Sequence, residues 1–148
     1  MSIANDPQFK EALARLNPVQ QRQMAARLTE NVLSLCKDVR VAGAVSAAKR
    51  PDITEPELAA MYQAAKSASV ESFTQCGHET DWSAQAGHFV SKAAMACVQP
   101  FDPGGNPAWD AAMDARMART CVAIAAGTGT ENREAEAQYR ILDEFLKR

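Results

Sequence analysis

The chain has 148 residues, 47% of them hydrophobic and 6% aromatic, and this length predicts one domain, residues 1–148, that needs no disulfide or metal to hold its core. The formal charge of −2 argues against a nucleic-acid binder, because affinity for phosphates requires a concentrated surface of lysine and arginine. Alanine dominates the hydrophobic residues, and valine, isoleucine and tyrosine never occur in alternating runs, which disfavours strands and predicts a core of closely approaching helices.

Four helices are predicted in the first half of the chain. Helix one begins at Pro7 and ends at Asn17, which also caps helix two, expected to run to about Cys36. Asp38 caps a shorter third helix. The fourth helix has the clearest N-terminal signal in the chain. Thr54 is its cap, a proline lies in the first turn, and a glutamate is placed to accept a hydrogen bond from the backbone of the cap residue. The positions expected to face inward on helix four are Leu58, Met61, Tyr62, Ala65, Ala68, Phe73 and Cys76.

A central helix is predicted over residues 82–98. On a helical wheel, one face carries Trp82, Ala86, Phe89, Ala93 and Cys97, and the opposite face carries Ala84, Gly87, Ser91, Ala94 and Val98. A helix with large apolar groups in front and small residues behind can accept neighbours on both sides. We therefore expect the other helices to pack around this one.

The remaining chain adds two helices after an irregular connection. Three prolines and two glycines between Pro100 and Pro107 exclude a continuous helix there. A sixth helix starts at Pro107 and is broken at Gly127, and a seventh buries Tyr139 and Leu142. The predicted fold class is all-α, a single-domain antiparallel bundle of about seven helices around the central alanine-rich helix.

Charge is unevenly distributed along the chain. Residues 1–50 hold eight basic and four acidic side chains, whereas residues 51–100 hold two and six. Two interpretations are open: neighbouring helices complement each other, or the middle third is an acidic docking surface for a basic partner. No apolar run approaches transmembrane length, and charged residues interrupt the N-terminal segment where a signal peptide needs an apolar core, so we expect a cytoplasmic protein without a membrane partner.

The motifs of common enzyme classes are missing from the sequence. There is no glycine-rich phosphate loop, no Gly-x-Ser-x-Gly elbow and no His-Glu-x-x-His. The nearest match to the Glu-x-x-His pairs of di-iron proteins is Gln85-Ala-Gly-His88, in which a neutral amide cannot replace the carboxylate. We therefore predict no catalytic residues and no cofactor.

Three groups of residues remain as candidate sites. Asp81, Gln85, His88 and Lys92 recur at helical spacing and form a polar stripe on the central helix, either a partner- or ligand-binding edge or an ordinary hydrated strip. Cys76 and His78, with His88 nearby, could share a metal ion, although Cys-x-His is a weak pattern and the alternative is a core thiol and a solvated turn. Cys97 and Cys121 could form a redox-sensing disulfide, or simply pack as small hydrophobes.

One family resemblance involves the central helix. Residues 84–93, Ala-Gln-Ala-Gly-His-Phe-Val-Ser-Lys-Ala, resemble the Ala-Gly-His helix of all-helical immunity proteins from bacterial polymorphic toxin systems. Further segments of the chain that resemble the family occur in the expected order: Asp38-Val39-Arg40, residues 63–68 and Ala137-Gln138-Tyr139. That family places further histidines where this chain has Lys66, Ser67 and Ala94, so of its histidine cluster only His88 carries over.

The resemblance implies a non-enzymatic protein that binds and neutralises a cognate toxin. On this hypothesis the partner contacts the polar stripe or the acidic middle third, and the protein is a monomer or a homodimer. The alternative hypothesis is a small-ligand, metal or redox-sensing helical domain that uses its cysteines and histidines.

Overall fold

The computed structural model describes residues 2–76 and 81–147, without the side chains of Gln75 and Cys76. This described part contains seven α-helices and no strand, which confirms the predicted all-α bundle. The helices are α1 (Asp6–Ala14), α2 (Pro18–Glu30), α3 (Val39–Lys49), α4 (Glu55–Cys76), α5 (Trp82–Val98), α6 (Pro107–Ala125) and α7 (Glu134–Leu146).

The helix starts follow the capping residues read from the sequence. The Asn17 side chain accepts from the backbone N–H of Gln20 at 2.8 Å, and the Gln20 side chain accepts from the Asn17 N–H at 3.0 Å. Thr54 and Glu57 make the same reciprocal pair at the start of α4. Each of these reciprocal pairs is a capping box, in which local side chains satisfy two otherwise unpaired N–H groups. The two helix starts could therefore be predicted without tertiary information.

Helix α2 is shorter than predicted: it ends at Glu30, and a 3₁₀ turn covers Leu33–Leu35. A continued helix would need the Asn31 carbonyl as an intrahelical acceptor. Instead that carbonyl accepts from Nη2 of Arg119 at 3.1 Å, and the Asn31 side chain donates to Glu134 at 2.7 Å. These contacts with α6 and α7 engage the Asn31 carbonyl outside the helix although its own dihedrals remain helical, and the chain leaves the α-helix at the next residue, Val32.

Helix α5 is central, as predicted. It packs against α2, α3, α4 and α6, and its bounds agree with the sequence expectation. The small residues on its rear face are covered: Ser91 is 1% exposed, Ala94 0% and Val98 2%. At Gly87, an added Cβ would lie 3.5 Å from the carbonyl oxygen of Leu35, so the backbone of the 3₁₀ turn approaches this face closely.

The inward prediction for Phe73 was wrong, because its side chain is 69% exposed. Ala65 and Ala68 define the buried centre of α4, at 0% and 1% exposure, and Phe73 lies about 110° around the helix from them. The inward positions on that turn belong instead to Ser69 and Ser72.

The first, sixth and seventh helices are joined by Arg116. Its guanidinium makes two bonds to the Asp6 carboxylate, at 2.9 and 2.7 Å, and a third to Gln138 at 2.8 Å. The Tyr139 hydroxyl donates to the same carboxylate at 2.6 Å. These bonds lower the pKa of Asp6, with the Arg116 hydrogen bond as the main cause. Sequence analysis did not identify this cluster, because Asp6 lies 110 residues before Arg116 in the chain.

Candidate functional site

The predicted polar stripe lies along one edge of α5, but its members face different neighbours. Asp81 is the N-cap of the helix and accepts from the Ala84 N–H at 3.1 Å. His88 contacts α4, whereas Lys92 faces Asp114 on α6 at 3.9 Å. Gln85, which precedes His88 by about one turn, is half-buried. The stripe is therefore divided between two helix seams.

His88 is held in one orientation by α4. Its Nδ1 lies 3.0 Å from the Ser69 carbonyl oxygen and 2.9 Å from the Ser72 hydroxyl. A carbonyl can only accept, so Nδ1 carries the proton and Nε2 carries a lone pair. Among the described residues, nothing bonds to Nε2. Burial lowers the pKa of His88 and the Lys92 charge adds to the effect, against the Ser69 bond, so the ring is neutral near pH 7.

Apolar side chains surround this imidazole. The ring centroids of Phe73 and Phe89 each lie 5.7 Å from that of His88. Val70 is one turn from Phe73 on the same helix and is 59% exposed. We call Val70, Phe73, His88 and Phe89 the Phe73 patch. It combines two exposed apolar groups with one hydrogen-bond acceptor that no described residue engages, a combination that suits contact with another macromolecule.

A second candidate is a cleft of about 360 Å³ between α5 and α6, to whose lining Tyr62 of α4 also contributes. Asp110 and Asp114 lie one turn apart on its α6 side, opposite Lys92. Burial raises the pKa of Asp114 to about 6; the Lys92 charge opposes this rise and the Asp110 charge adds to it. Sequence analysis missed both aspartates, because the partial burial of Asp114 next to Asp110 depends on how α6 sits against α5.

A third candidate is a larger groove of about 900 Å³ at the C-terminal end of α5, next to the cleft, with which it shares Ala96 and Gln99. The turn between α1 and α2, the start of α4, the end of α5 and the proline-rich connection 99–106 form its walls. Most of its lining is apolar, and Arg22 and Phe101 are part of it. Phe101 is 71% exposed.

The acidic residues of the middle third largely contact basic residues of the first third. Arg40 bridges to Glu71 at 2.6 Å, and Arg50 bridges to Glu57 at 3.2 Å and to Asp52 at 3.4 Å. These pairs join neighbouring segments across the α3–α4 seam. The geometry therefore favours charge complementarity between helices over an acidic docking surface.

The two cysteines considered for a disulfide lie at opposite ends of the α5–α6 pair. With Lys92 facing Asp114 in an antiparallel arrangement, the position on α5 beside Cys121 is about twelve residues from Cys97, or roughly 18 Å along the axis. A disulfide requires Cα atoms within about 7 Å. Burial also raises the pKa of the Cys97 thiol to about 12, and Thr29 Oγ1 lies 3.2 Å from its sulfur.

The proposed metal ligands are outside what can be described: His78 lies in the gap at 77–80, and the side chain of Cys76 is not described. Within residues 2–76 and 81–147, no group of three or more histidine, cysteine or acidic side chains is arranged to hold a metal ion. No described helix combines the length and apolar character needed to cross a membrane.

No family model, curated protein or solved structure matches the chain.

Proposed function

We propose that the protein is a non-enzymatic, immunity-like protein that binds and neutralises a cognate toxin through the Phe73 patch. The observation that carries the proposal is the 69% exposure of Phe73 beside a half-buried, neutral His88. An aromatic side chain left in water next to an oriented polar group is typical of an interface centre, where large rings fill pockets on the partner. The partner would supply an apolar pocket for Phe73 and a hydrogen-bond donor for Nε2 of His88.

The position of His88 connects the patch with the family resemblance. His88 is the residue that carries over from the Ala-Gly-His helix, and it is also the polar member of the patch. Its supporting groups, Ser69 and Ser72, belong to a helix packed on α5, so the binding surface is already ordered before a partner arrives. Such preorganisation favours tight binding, because fewer side chains lose freedom on association. The proposal places this activity in the cytoplasm, where buried thiols such as Cys97 stay reduced.

The test uses a toxin domain encoded beside the gene for this chain. Co-expression should restore the growth of cells that produce the toxin, and the purified pair should form a complex measurable by calorimetry. Phe73→Asp should weaken the complex at least a hundredfold, because a carboxylate would have to be desolvated in the partner's pocket. Phe101→Asp is the matched control, since Phe101 is exposed to the same extent, 71%, on another surface.

Two outcomes would contradict the proposal. In one, Phe73→Asp and Phe101→Asp bind the toxin equally well. In the other, the Phe73 patch is covered by a second copy of the chain, so that the protein is a homodimer and Phe73→Asp makes it a monomer in analytical ultracentrifugation. An unchanged monomeric mass for both variants, together with loss of toxin binding for Phe73→Asp alone, supports a heterologous partner.

A further inference from the structure

We infer that the 900 Å³ groove at the end of α5 is a binding site for a small carboxylate with an apolar body, such as a medium-chain fatty acid, and that Arg22 is its counter-ion. This site is separate from the Phe73 patch and goes beyond the proposed function. Its volume lies in the upper part of the range that small-molecule sites occupy in proteins, about 300 to 1,000 Å³.

The walls of the groove fit an apolar chain. The residues that provide exposed or half-exposed apolar surface are Leu16, Ile53, Leu58, Pro100 and Phe101, and Val98, which is 2% exposed, also lines the groove. They come from the α1–α2 turn, the start of α4, the end of α5 and the connection that follows it. An alkyl chain in this groove would cover apolar surface that otherwise faces water, and such burial is favourable by the ordinary hydrophobic effect.

Arg22 supplies the positive charge. Its Nε donates to the Ala48 carbonyl oxygen at 3.0 Å and its Nη2 donates to that of Arg50 at 2.7 Å. Both acceptors are carbonyls at the C-terminus of α3, where the negative end of the helix dipole offsets part of the positive charge, and no carboxylate of the described residues forms a salt bridge with Arg22. An arginine partly removed from water usually has an acidic partner, because its charge must be compensated there. A ligand carboxylate would provide that partner.

The acidic residues that line the groove do not take this role. Asp102 accepts from the backbone N–H of Gly104 at 3.1 Å and is committed to its own turn. Glu55 is in the first turn of α4, where the positive end of the helix dipole stabilises it. Arg22 is therefore the cation that a bound anion would meet among the described lining residues.

The connection beside the groove is built to hold Phe101 in place. Pro100, Pro103 and Pro107 restrict its backbone, and the Gly105 N–H donates to the Asp102 carbonyl at 2.9 Å. A restricted loop loses little entropy when a ligand orders it, so the exposed ring can contact a bound chain at low cost.

The test is a calorimetric and NMR titration of the full chain with three ten-carbon probes below their micelle concentrations: decanoate, decanol and decyltrimethylammonium. We expect decanoate to bind at least tenfold more tightly than decanol, and the cation to bind more weakly than either. The backbone amide signals of Leu58 and Val98 should move with decanoate. Phe101→Ala should weaken decanoate binding several-fold, and Phe73→Asp should leave it unchanged.

A pair of substitutions separates the charge of Arg22 from its contacts with α3. Arg22→Lys and Arg22→Gln both lose the two-pronged contact with Ala48 and Arg50, but only the lysine keeps the charge. We expect Arg22→Lys to retain the preference for decanoate over decanol and Arg22→Gln to lose it, with folding of each variant checked by circular dichroism. Equal binding of decanoate and decanol to the unaltered protein would overturn the inference, as would shifts confined to surfaces away from the groove. These results leave the toxin assay unaffected, so the two proposals fail independently.

Discussion

Replacing Asp114 by asparagine should stabilise the protein at neutral and alkaline pH. The Asp114 side chain is 21% exposed in the cleft between α5 and α6, and its nearest cation, Nζ of Lys92, is 3.9 Å away. That distance is too long for a strong charge-assisted bond. Burial is therefore the dominant influence, and it raises the carboxyl pKa from 3.8 to about 6.

The sign and size of the effect follow from proton linkage. Because the folded state holds the Asp114 proton more tightly than the unfolded state, its contribution to stability is fully present below pH 3.8 and is lost as the pH rises through about 6. At 1.36 kcal/mol per pKa unit, the ionised carboxylate destabilises the fold by about 3 kcal/mol. This value already includes the attraction to Lys92, which opposes the rise in the pKa. Because asparagine, like the protonated carboxyl, carries no charge, we expect a gain of about 3 kcal/mol at pH 8.

Urea unfolding of the two proteins between pH 4 and pH 8 measures this difference directly. The gain should be close to zero near pH 4 and should grow as the pH rises through 6. Other carboxylates, such as Asp6 and Glu71, have lowered pKa values and therefore stabilise the fold less in acid. Their contribution is the same in both proteins and cancels in the difference. Asp52→Asn, at a side chain 78% exposed, is the control and should change little. A gain that stays constant across the pH range would refute the argument.

Three further predictions concern packing and reactivity. Ala94→Leu should cost about 1 to 3 kcal/mol in urea unfolding, because the rear of α5 is fully covered there. Arg116→Met should cost about 1 to 3 kcal/mol in the same assay, since it leaves the buried Gln138 side-chain oxygen without its donor, whereas Asp6 is 46% exposed and can bind water. Cys97 should resist iodoacetamide at pH 8 in the folded protein and react only in denaturant, because its thiol is buried and its pKa is about 12.

Local signals explain which parts of the fold could be predicted. Capping residues such as Asn17 and Thr54 act within one turn of the chain, so they mark helix starts without tertiary information. The central helix was also identified correctly, because apolar and small residues on opposite faces indicate neighbours on both sides. The early end of α2 could not be predicted, since it depends on contacts between Asn31 and two distant helices.

The candidate sites were harder to predict because their residues act through long-range contacts. Phe73 has the spacing of a core residue, and only the rotation of α4 against α5 exposes it. Asp114 and Arg22 are ordinary charged residues in the sequence, and only the packed helices bury the first and leave the second without a carboxylate. His88 was identified by its position on an otherwise apolar helix, but its neutral state depends on α4.

The two proposed sites lie on separate parts of the same helix. His88 and Val98 are ten residues apart on α5, which corresponds to about 15 Å along its axis. Both ends are fixed by buried alanines, and a close-packed core of this kind resists small relative shifts of its helices. Binding at one end would change affinity at the other only if it favoured a different arrangement of α4 and α5. We therefore expect decanoate to leave toxin affinity unchanged within a factor of about two. A larger change, lost on Arg22→Gln, would mean that the groove regulates the Phe73 patch through these two helices.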